Sequence, residues 1–347
     1  MDRRQFIGAS GFGALAATTL TPQLAALSSK IHRLRRDRPL QRVTFGSCNR
    51  QSKPQTHWRY INRQQPDLWI WLGDNIYADF ASPENRMLEF LKIKELSEYQ
   101  RLRKQTEILG IWDDHDFGAN NVGAEYPDKA LSQTVFCNFL DVPMEHITRL
   151  REGIYRSDVY GEPGEQTEVI SLDTRYFKKT RREGGMLGEA QWSWLEETVT
   201  NSTADLLLIA SSIHVTSRVT GFGLEGWNAY PRERERLYDL LSANGKPVIF
   251  MSGDRHWAEL SSVRTRDGFI MHEIMSSGLT HALYVSLPSR DRVAPVAGDN
   301  NFGQLDIDWS RPYEPVVIAS IQHANRPEKL VEHRFDFNQE QQIRTVR

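Results

Sequence analysis

Six apolar runs of strand length, each carrying at its C-terminal end a residue able to bind a metal or a phosphate (His214 in the fifth), constrain this chain more than any other feature. They are "RVTFGSC" ending at Cys48, "LWIWLGD" ending at Asp74, "ILGIWDD" ending at Asp114, "EVISLDTR" ending at Arg175, "DLLLIASSIHV" ending at Val215 and "PVIFMSGDRH" ending at His256. Between them lie segments of helical character, such as "PENRMLEFLKIKELSEYQRLRKQ" (83–105), "LGEAQWSWLEETVT" (187–200) and "PRERERLYDLLSAN" (231–244). Strands apolar on both faces, alternating with helices, predict a layered α/β domain with a largely parallel sheet. The tail differs. There "ELSSVRTRDGFIMHEIMSSG" reads as an antiparallel pair turning at Asp267–Gly268, followed by strands in "PVVIASIQHA" and "KLVEHRFDFN", so the sheet is expected to be mixed. In an open α/β sheet the C-terminal strand ends line one crevice, which lets six distant segments converge on a single site.

The chain has 347 residues, 39% of them hydrophobic and 25% charged, with a net charge of -2. These values exclude a disordered chain and a multi-span membrane protein, and they give no electrostatic reason for a nucleic-acid partner. The one basic run, "KIHRLRRDR" at 30–38, reads as a solvated linker. Residues 1–28 read as an export signal: Arg3 and Arg4, then the apolar "IGASGFGALAATTL", then small residues suited to cleavage. The paired arginines followed by Gln5, Phe6 and Ile7 match the pattern read by the twin-arginine (Tat) translocase, a transient partner. The expected organisation is therefore a signal (1–28), a basic linker (29–40) and a single catalytic domain (41–347). The expected location is periplasmic or secreted, with no stable membrane span.

Cys48 and Cys137 are the only cysteines, too few for a disulfide framework, although one bridge between them is allowed by the count. Cys137 falls among apolar residues at helical spacing and reads as a buried free thiol. Cys48 follows a Gly-Ser turn at a strand end and belongs with the chemistry.

That chemistry is a mixed donor set. Beside Cys48 it contains Asp74 and Tyr77 of "GDNIY"; Asp113, Asp114, His115, Asp116, Asn120 and Asn121 of "WDDHDFGANN"; Asp173 and Arg175; His214; and Asp254 and His256 of "SGDRH". Thiol, phenol, carboxylate, amide and imidazole together do not fit a structural zinc site. The spacings fit no zinc finger, zincin or EF-hand, and neither a P-loop, a G-x-G-x-x-G turn nor a G-x-S-x-G elbow is present. A set with thiolate and phenolate on one side and oxygen donors on the other suggests two metals of unlike character, clamping a phosphoryl group.

In order, "GSC", "GDNIY", "WDDHDFGANN", "LDTR" and "SGDRH" resemble the motifs of the PhoD family of alkaline phosphatases and phosphodiesterases, within the metallophosphoesterase superfamily. The resemblance runs from Phe45 to His256. It implies a four-layer α/β/β/α sandwich with mixed sheets and a site holding Fe³⁺ and Ca²⁺. Carried over by position, Cys48, Asp74, Tyr77 and His256 hold the iron, Asp74 bridges, and Asn120 with Asp254 serves the calcium side. Arg175 faces the phosphate and His115 assists proton transfer. The implied activity is hydrolysis of phosphate monoesters or diesters by a metal-activated hydroxide. The alternatives are a phospholipase-like phosphodiesterase acting on lipid or cell-wall polymer, and a non-catalytic metal-binding protein on the same fold. The sequence departs from the family in two places. Longer members carry a β-rich domain before the "GSC" strand, where this chain has only the linker. His214 stands where a Gln is expected, either as a ligand that shifts the second metal toward a softer ion such as Zn²⁺ or Mn²⁺, or as a strand-end His bonded to a loop; Mg²⁺ is a further candidate for the second metal.

Overall fold

All six apolar runs form strands, because each buries every second side chain against one layer and the intervening ones against another. In the computed structural model, residues 36–217, 225–284, 287–295 and 297–337 are described; the expected export signal and most of the basic linker lie outside them. The described strands are β1 (Arg42–Gly46), β2 (Leu68–Leu72), β3 (Glu107–Ile111), β4 (Arg156–Tyr160), β5 (Thr167–Ser171), β6 (Leu206–Ala210), β7 (Val248–Ser252), β8 (Ala258–Arg264), β9 (Ile270–Ser276), β10 (Asn301–Asp308), β11 (Val316–His323) and β12 (Lys329–Asp336). They form two six-stranded sheets, ordered β12-β11-β10-β1-β2-β3 and β4-β5-β6-β7-β9-β8.

Both sheets are mixed. In the first, β1, β2 and β3 are parallel and β10 to β12 antiparallel; in the second, β5, β6, β7 and β9 are parallel. The expected hairpin is β8–β9, turning through Gly268 at φ 89°. Two strands escaped the sequence reading. β4 carries charged and polar residues at the edge of the second sheet, and β10 interleaves Gly303, Gln304 and Asp306 with its apolar positions. Gly303 is required where it stands, since a Cβ there would lie 2.2 Å from the Phe45 ring on β1.

The strand period of two sorts the core into layers. On β6, Leu206, Leu208 and Ala210 join the cluster shared with the first sheet, while Leu207 and Ile209 face the helices Gly188–Asn201 and Pro231–Asn244. On β2, Trp69 and Trp71 pack edge-on against Trp58 of the helix His57–Gln64, with ring centroids 5.3 and 5.1 Å apart. The order is helix, sheet, sheet, helix: a four-layer α/β/β/α sandwich. Each fully buried Leu or Ile in these layers is worth about 1.5–3 kcal/mol of transfer free energy.

The two sheets meet at the C-terminal ends of their parallel strands. Ser47, just past β1, forms a parallel bridge with Ser277, just past β9, and its carbonyl accepts from the amides of Gly278 and Leu279 at 3.2 and 3.0 Å. That junction brings the chemistry of both sheets to one edge.

Candidate metal centre

The loops leaving the strands are held in conformations that side chains ordinarily avoid. Cys48 (φ 56°), Asp74 (φ 50°), Asp254 (φ 75°) and His256 (φ 62°) all occupy the left-handed region, although none is glycine. Such residues cost roughly 1–3 kcal/mol each and persist where the surroundings over-determine them. Here the surroundings include Asn49 N–H donating to Asp74 O at 2.8 Å and His256 N–H donating to Ser277 Oγ at 2.8 Å. Gly73 admits no side chain, because a Cβ would lie 2.5 Å from Asp113 Cβ.

The donors these loops present are close together. Asp74 Oδ2 accepts from Tyr77 Oη at 3.1 Å and lies 3.5 Å from Cys48 Sγ, which is itself 3.1 Å from Ser277 Oγ. Asp74, Asp114 and His115 each offer a ligand atom, all within 4.8 Å of one another. Asp114 is fixed by the amides of His115 (2.8 Å) and Asn121 (2.6 Å). His115 Nδ1 lies 2.6 Å from Asp79 Oδ1, and its ring packs 4.4 Å from that of Tyr77.

Electrostatics shows what the cluster lacks. Burial, then Cys48, then Asp114, Asp113 and Asp116 push the Asp74 carboxyl well above the usual range. Burial and Asp113 do the same to Asp254, against the pull of Arg255. Burial would raise the Cys48 thiol, but the adjacent His256 brings it down to about 7; burial would lower His256, but Cys48 lifts it to about 9. Cys48 and His256 therefore favour a thiolate–imidazolium pair, while Asp74 is crowded by Cys48 and by the carboxylates of Asp114, Asp113 and Asp116. Asp74 Oδ1, Asp113 Oδ2 and His214 Nε2 are buried with no hydrogen-bond partner. Orphaned acceptors among mutually repelling carboxylates fit bound cations.

The residues expected from the sequence fall in different places. Cys48, Asp74, Tyr77 and His256 come together, with His115 beside them. Asp254 is largely buried, its carboxylate 3.9 Å from the Arg255 guanidinium. Asn120 is exposed past the short helix Asp114–Phe117, with no hydrogen bond to the cluster among the described residues. Arg175 is fully buried, its Nε 2.5 Å from Asp113 Oδ1 and its Nη1 2.5 Å from Glu225 Oε2. His214 is also buried; its Nδ1 lies 2.8 Å from Glu273 Oε2, and that carboxylate further accepts from Val215, Thr216 and Ser252. Burial opposes the Glu273 charge, but His214 and these donors hold its carboxyl at about 2. Cys48 and Cys137 are both free and buried.

Sequence reasoning passed over Asp79, Glu225, Glu273 and His281, and assigned Asp114 no ligand role. His281 Nδ1 lies 3.3 Å from Tyr77 Oη and its ring 4.2 Å from that of His256. Burial first, then the charges of His256, Arg50, His115 and Lys53, lower its proton affinity to about 4. It follows β9, so the strand-end rule that found the other donors covers it. Glu273, an acidic residue inside an apolar strand, was a signal of the same kind.

Comparison with known proteins agrees with the sheet topology. The family profile described as PhoD-like phosphatase matches residues 89–294, more than half of the chain. Alkaline phosphatase D of Bacillus subtilis (strain 168) is 24% identical, over 63% of this chain and 47% of its own length. The chain thus spans about half the length of that curated relative. Among solved structures, one of PhoD superposes with a TM-score of 0.65 at 16% identity, covering 86% of this chain and 69% of the other. A purple acid phosphatase from yellow lupin (Lupinus luteus) seeds gives 0.58 at 12% identity, covering 86% and 54%. At these identities the two structures establish the fold.

Proposed function

The chain belongs to the PhoD-like phosphatase family, and on that premise we propose that it is a metal-dependent phosphoric ester hydrolase acting at the joined edge of its two sheets. The observation that carries this reading is the gathering of Cys48, Tyr77, Asp114 and His115 about Asp74, whose backbone sits at positive φ and whose Oδ1 is buried without a hydrogen-bond partner among the described residues. Cys48, Asp74, Tyr77 and His256 would hold Fe³⁺, whose chemistry suits thiolate and phenolate donors. Asp114 and Asp254, with Asn120, suit Ca²⁺. His214 favours a further reading of the second site. Its Nδ1 is held by Glu273 while Nε2 is buried and free, an arrangement typical of a metal-bound imidazole, and it shifts the preference toward Zn²⁺ or Mn²⁺, with Mg²⁺ the remaining candidate.

When bound, the metals supply a water of lowered pKa and screen the charge on phosphorus. The chain's residues do the rest. Asp79 fixes the His115 ring through Nδ1, and in the imidazolium form, with Nδ1–H donated to Asp79, Nε2–H is the proton that passes to the departing alkoxide and leaves a neutral ring. Asp113 and Arg175 brace the loop behind Asp114.

Rates on a monoester and a diester panel, measured with elemental analysis before and after chelation, test the reading. We expect activity that chelation removes and metal restores, and a visible phenolate-to-iron band that Tyr77→Phe abolishes. Metal-replete protein that turns over neither ester class is a metal-binding protein, and the hydrolase reading fails. We also propose that residues 1–28 direct twin-arginine export to the periplasm or medium. Replacing Arg3 and Arg4 by Lys is expected to strand the protein in the cytoplasm, and normal export of that variant would refute the route. Among the described residues no helix is long and apolar enough to cross a membrane.

A further inference from the structure

Three arginines lie around the candidate centre, and their surroundings differ. Arg175 is fully buried and already bonded to Asp113 and Glu225. Arg255 is buried to 2% exposure, with its guanidinium nitrogens shut away from solvent 3.9 Å from Asp254. Arg50 is half-buried at the rim, and among the described residues no carboxylate pairs with it.

Arg50 is also fixed in place. Its guanidinium carbon sits 5.0 Å from the centroid of the Tyr77 ring, and its Nε is buried with no hydrogen-bond partner. Its carbonyl accepts three hydrogen bonds: from Lys53 N at 2.9 Å, Gln55 Nε2 at 3.2 Å and Thr280 Oγ1 at 3.2 Å. The next residue, Gln51, grips the backbone of Tyr77 on both sides, donating to its carbonyl at 3.0 Å and accepting from its amide at 2.9 Å. A guanidinium stacked on one proposed ligand, two residues from another, and with no carboxylate paired to it among the described residues is a preorganised anion receptor.

Resting on the hydrolase reading above, we propose that Arg50 is a catalytic residue that binds a terminal oxygen of the substrate's phosphoryl group, the role the sequence pattern had suggested for Arg175. The guanidinium offers a planar pair of donors toward the ester, and Tyr77 holds it in place without neutralising it. Charge that builds on the phosphoryl oxygens in the transition state strengthens this contact, so it serves turnover more than ground-state binding.

The test compares metal-replete native protein with Arg50→Ala and Arg50→Lys. The readouts are kcat and KM on p-nitrophenyl phosphate and bis(p-nitrophenyl) phosphate, inhibition by inorganic phosphate, metal content and thermal unfolding. Arg50→Ala is expected to lose roughly 10²–10³-fold in kcat/KM, to weaken phosphate inhibition, to keep its metals and melting temperature, and to recover partly in added guanidinium. Arg50→Lys is expected to fall between. An active native enzyme whose Arg50→Ala variant hydrolyses the esters and binds phosphate within threefold of native overturns this inference alone. A variant that loses metal with activity and is not rescued by guanidinium also overturns it, since Arg50 would then act by supporting Tyr77. Native protein that neither hydrolyses the esters nor binds inorganic phosphate overturns both this inference and the hydrolase reading.

Discussion

Asp74 follows β2 and Asp173 follows β5 at the same distance, two residues past the last strand position, and both are buried. Their surroundings are opposite. Asp173 Oδ1 accepts from Trp112 Nε1 and from the amides of Arg175 and Tyr176, each at 2.9 Å, and Oδ2 accepts from Ile154 N at 2.9 Å. Among the described residues Asp74 accepts hydrogen bonds through Oδ2 alone and Oδ1 has no partner, and its backbone sits at φ 50°. One carboxylate closes a loop; the other is held open by its loop. Satisfied acceptors mark structure, and orphaned acceptors on a strained backbone mark chemistry.

The comparison breaks most visibly in paired substitutions. Asp74→Ala is expected to lower turnover by at least about 10³-fold and to lose bound metal, with little loss of apoprotein stability, because a buried carboxyl crowded by Cys48 and other carboxylates leaves with it. Asp173→Ala strands four N–H donors in the interior and is expected to cost at least about 3 kcal/mol on unfolding, while the metal content of the folded fraction is kept. Turnover, elemental analysis and denaturant unfolding on both variants decide. Metal loss in the Asp173 variant at native stability would erase the distinction.

Arg175 falls on the Asp173 side in its charge, because Nε and Nη1 are paired with Asp113 and Glu225, although Nη2 is buried without a partner among the described residues. Removing one partner of a buried ion pair leaves the others uncompensated, so Arg175→Met is expected to destabilise by about 3–5 kcal/mol. The folded fraction of that variant should keep its KM. A raised KM with unchanged stability would return Arg175 to the phosphate.

Glu273 tests the opposite class, groups whose order serves a neighbour. It holds His214 Nδ1, and outer partners of metal-bound imidazoles are typically worth 10–100-fold in metal affinity. Glu273→Gln is therefore expected to weaken one of two metals by that factor, read by titration of the apoprotein. Unchanged affinity at both sites would leave His214 as a loop-bonding histidine.

The parts of the molecule legible in sequence were those whose physics is local and periodic. β1, β2, β3, β5, β6 and β7 are buried on both faces and therefore read as continuous apolar runs, and the rule that ligands gather past parallel strand ends located Cys48, Asp74, Tyr77 and His256. β4 and β10 were illegible because edge exposure and a close Phe45 contact replaced apolar residues with Asp158, Gly303 and Gln304. Arg175 shows the limit in the site itself. A motif places the residue at the right edge, but only the packed structure shows that Asp113 and Glu225 already hold its charge. Arg50 carried no pattern at all, since its significance is that no carboxylate pairs with it among the described residues.

The smallest expected effect concerns pH. The carboxyls of Asp74, Asp254 and Asp113 are raised in the fold, Asp113 to about 6, by burial and by one another, with Arg175 opposing at Asp113. Raised carboxyls bind protons in the folded state that the unfolded chain has already released. Their contribution to stability is thus complete below the ordinary carboxylate range and is lost as pH rises through the folded values, about 1.4 kcal/mol per pH unit for each group in its window. Metal-free protein is therefore expected to melt at a lower temperature at pH 7 than at pH 5. Bound cations favour the ionised carboxylates, so the loaded protein should lose that decline, and Asp74→Asn should reduce it in the apoprotein. Asp173→Asn should leave the difference between apo and loaded protein intact, because its charge is satisfied by N–H donors whether or not metal is present. Equal pH slopes with and without metal would mean that the crowded carboxylates of the Asp74 loop do not share a cation.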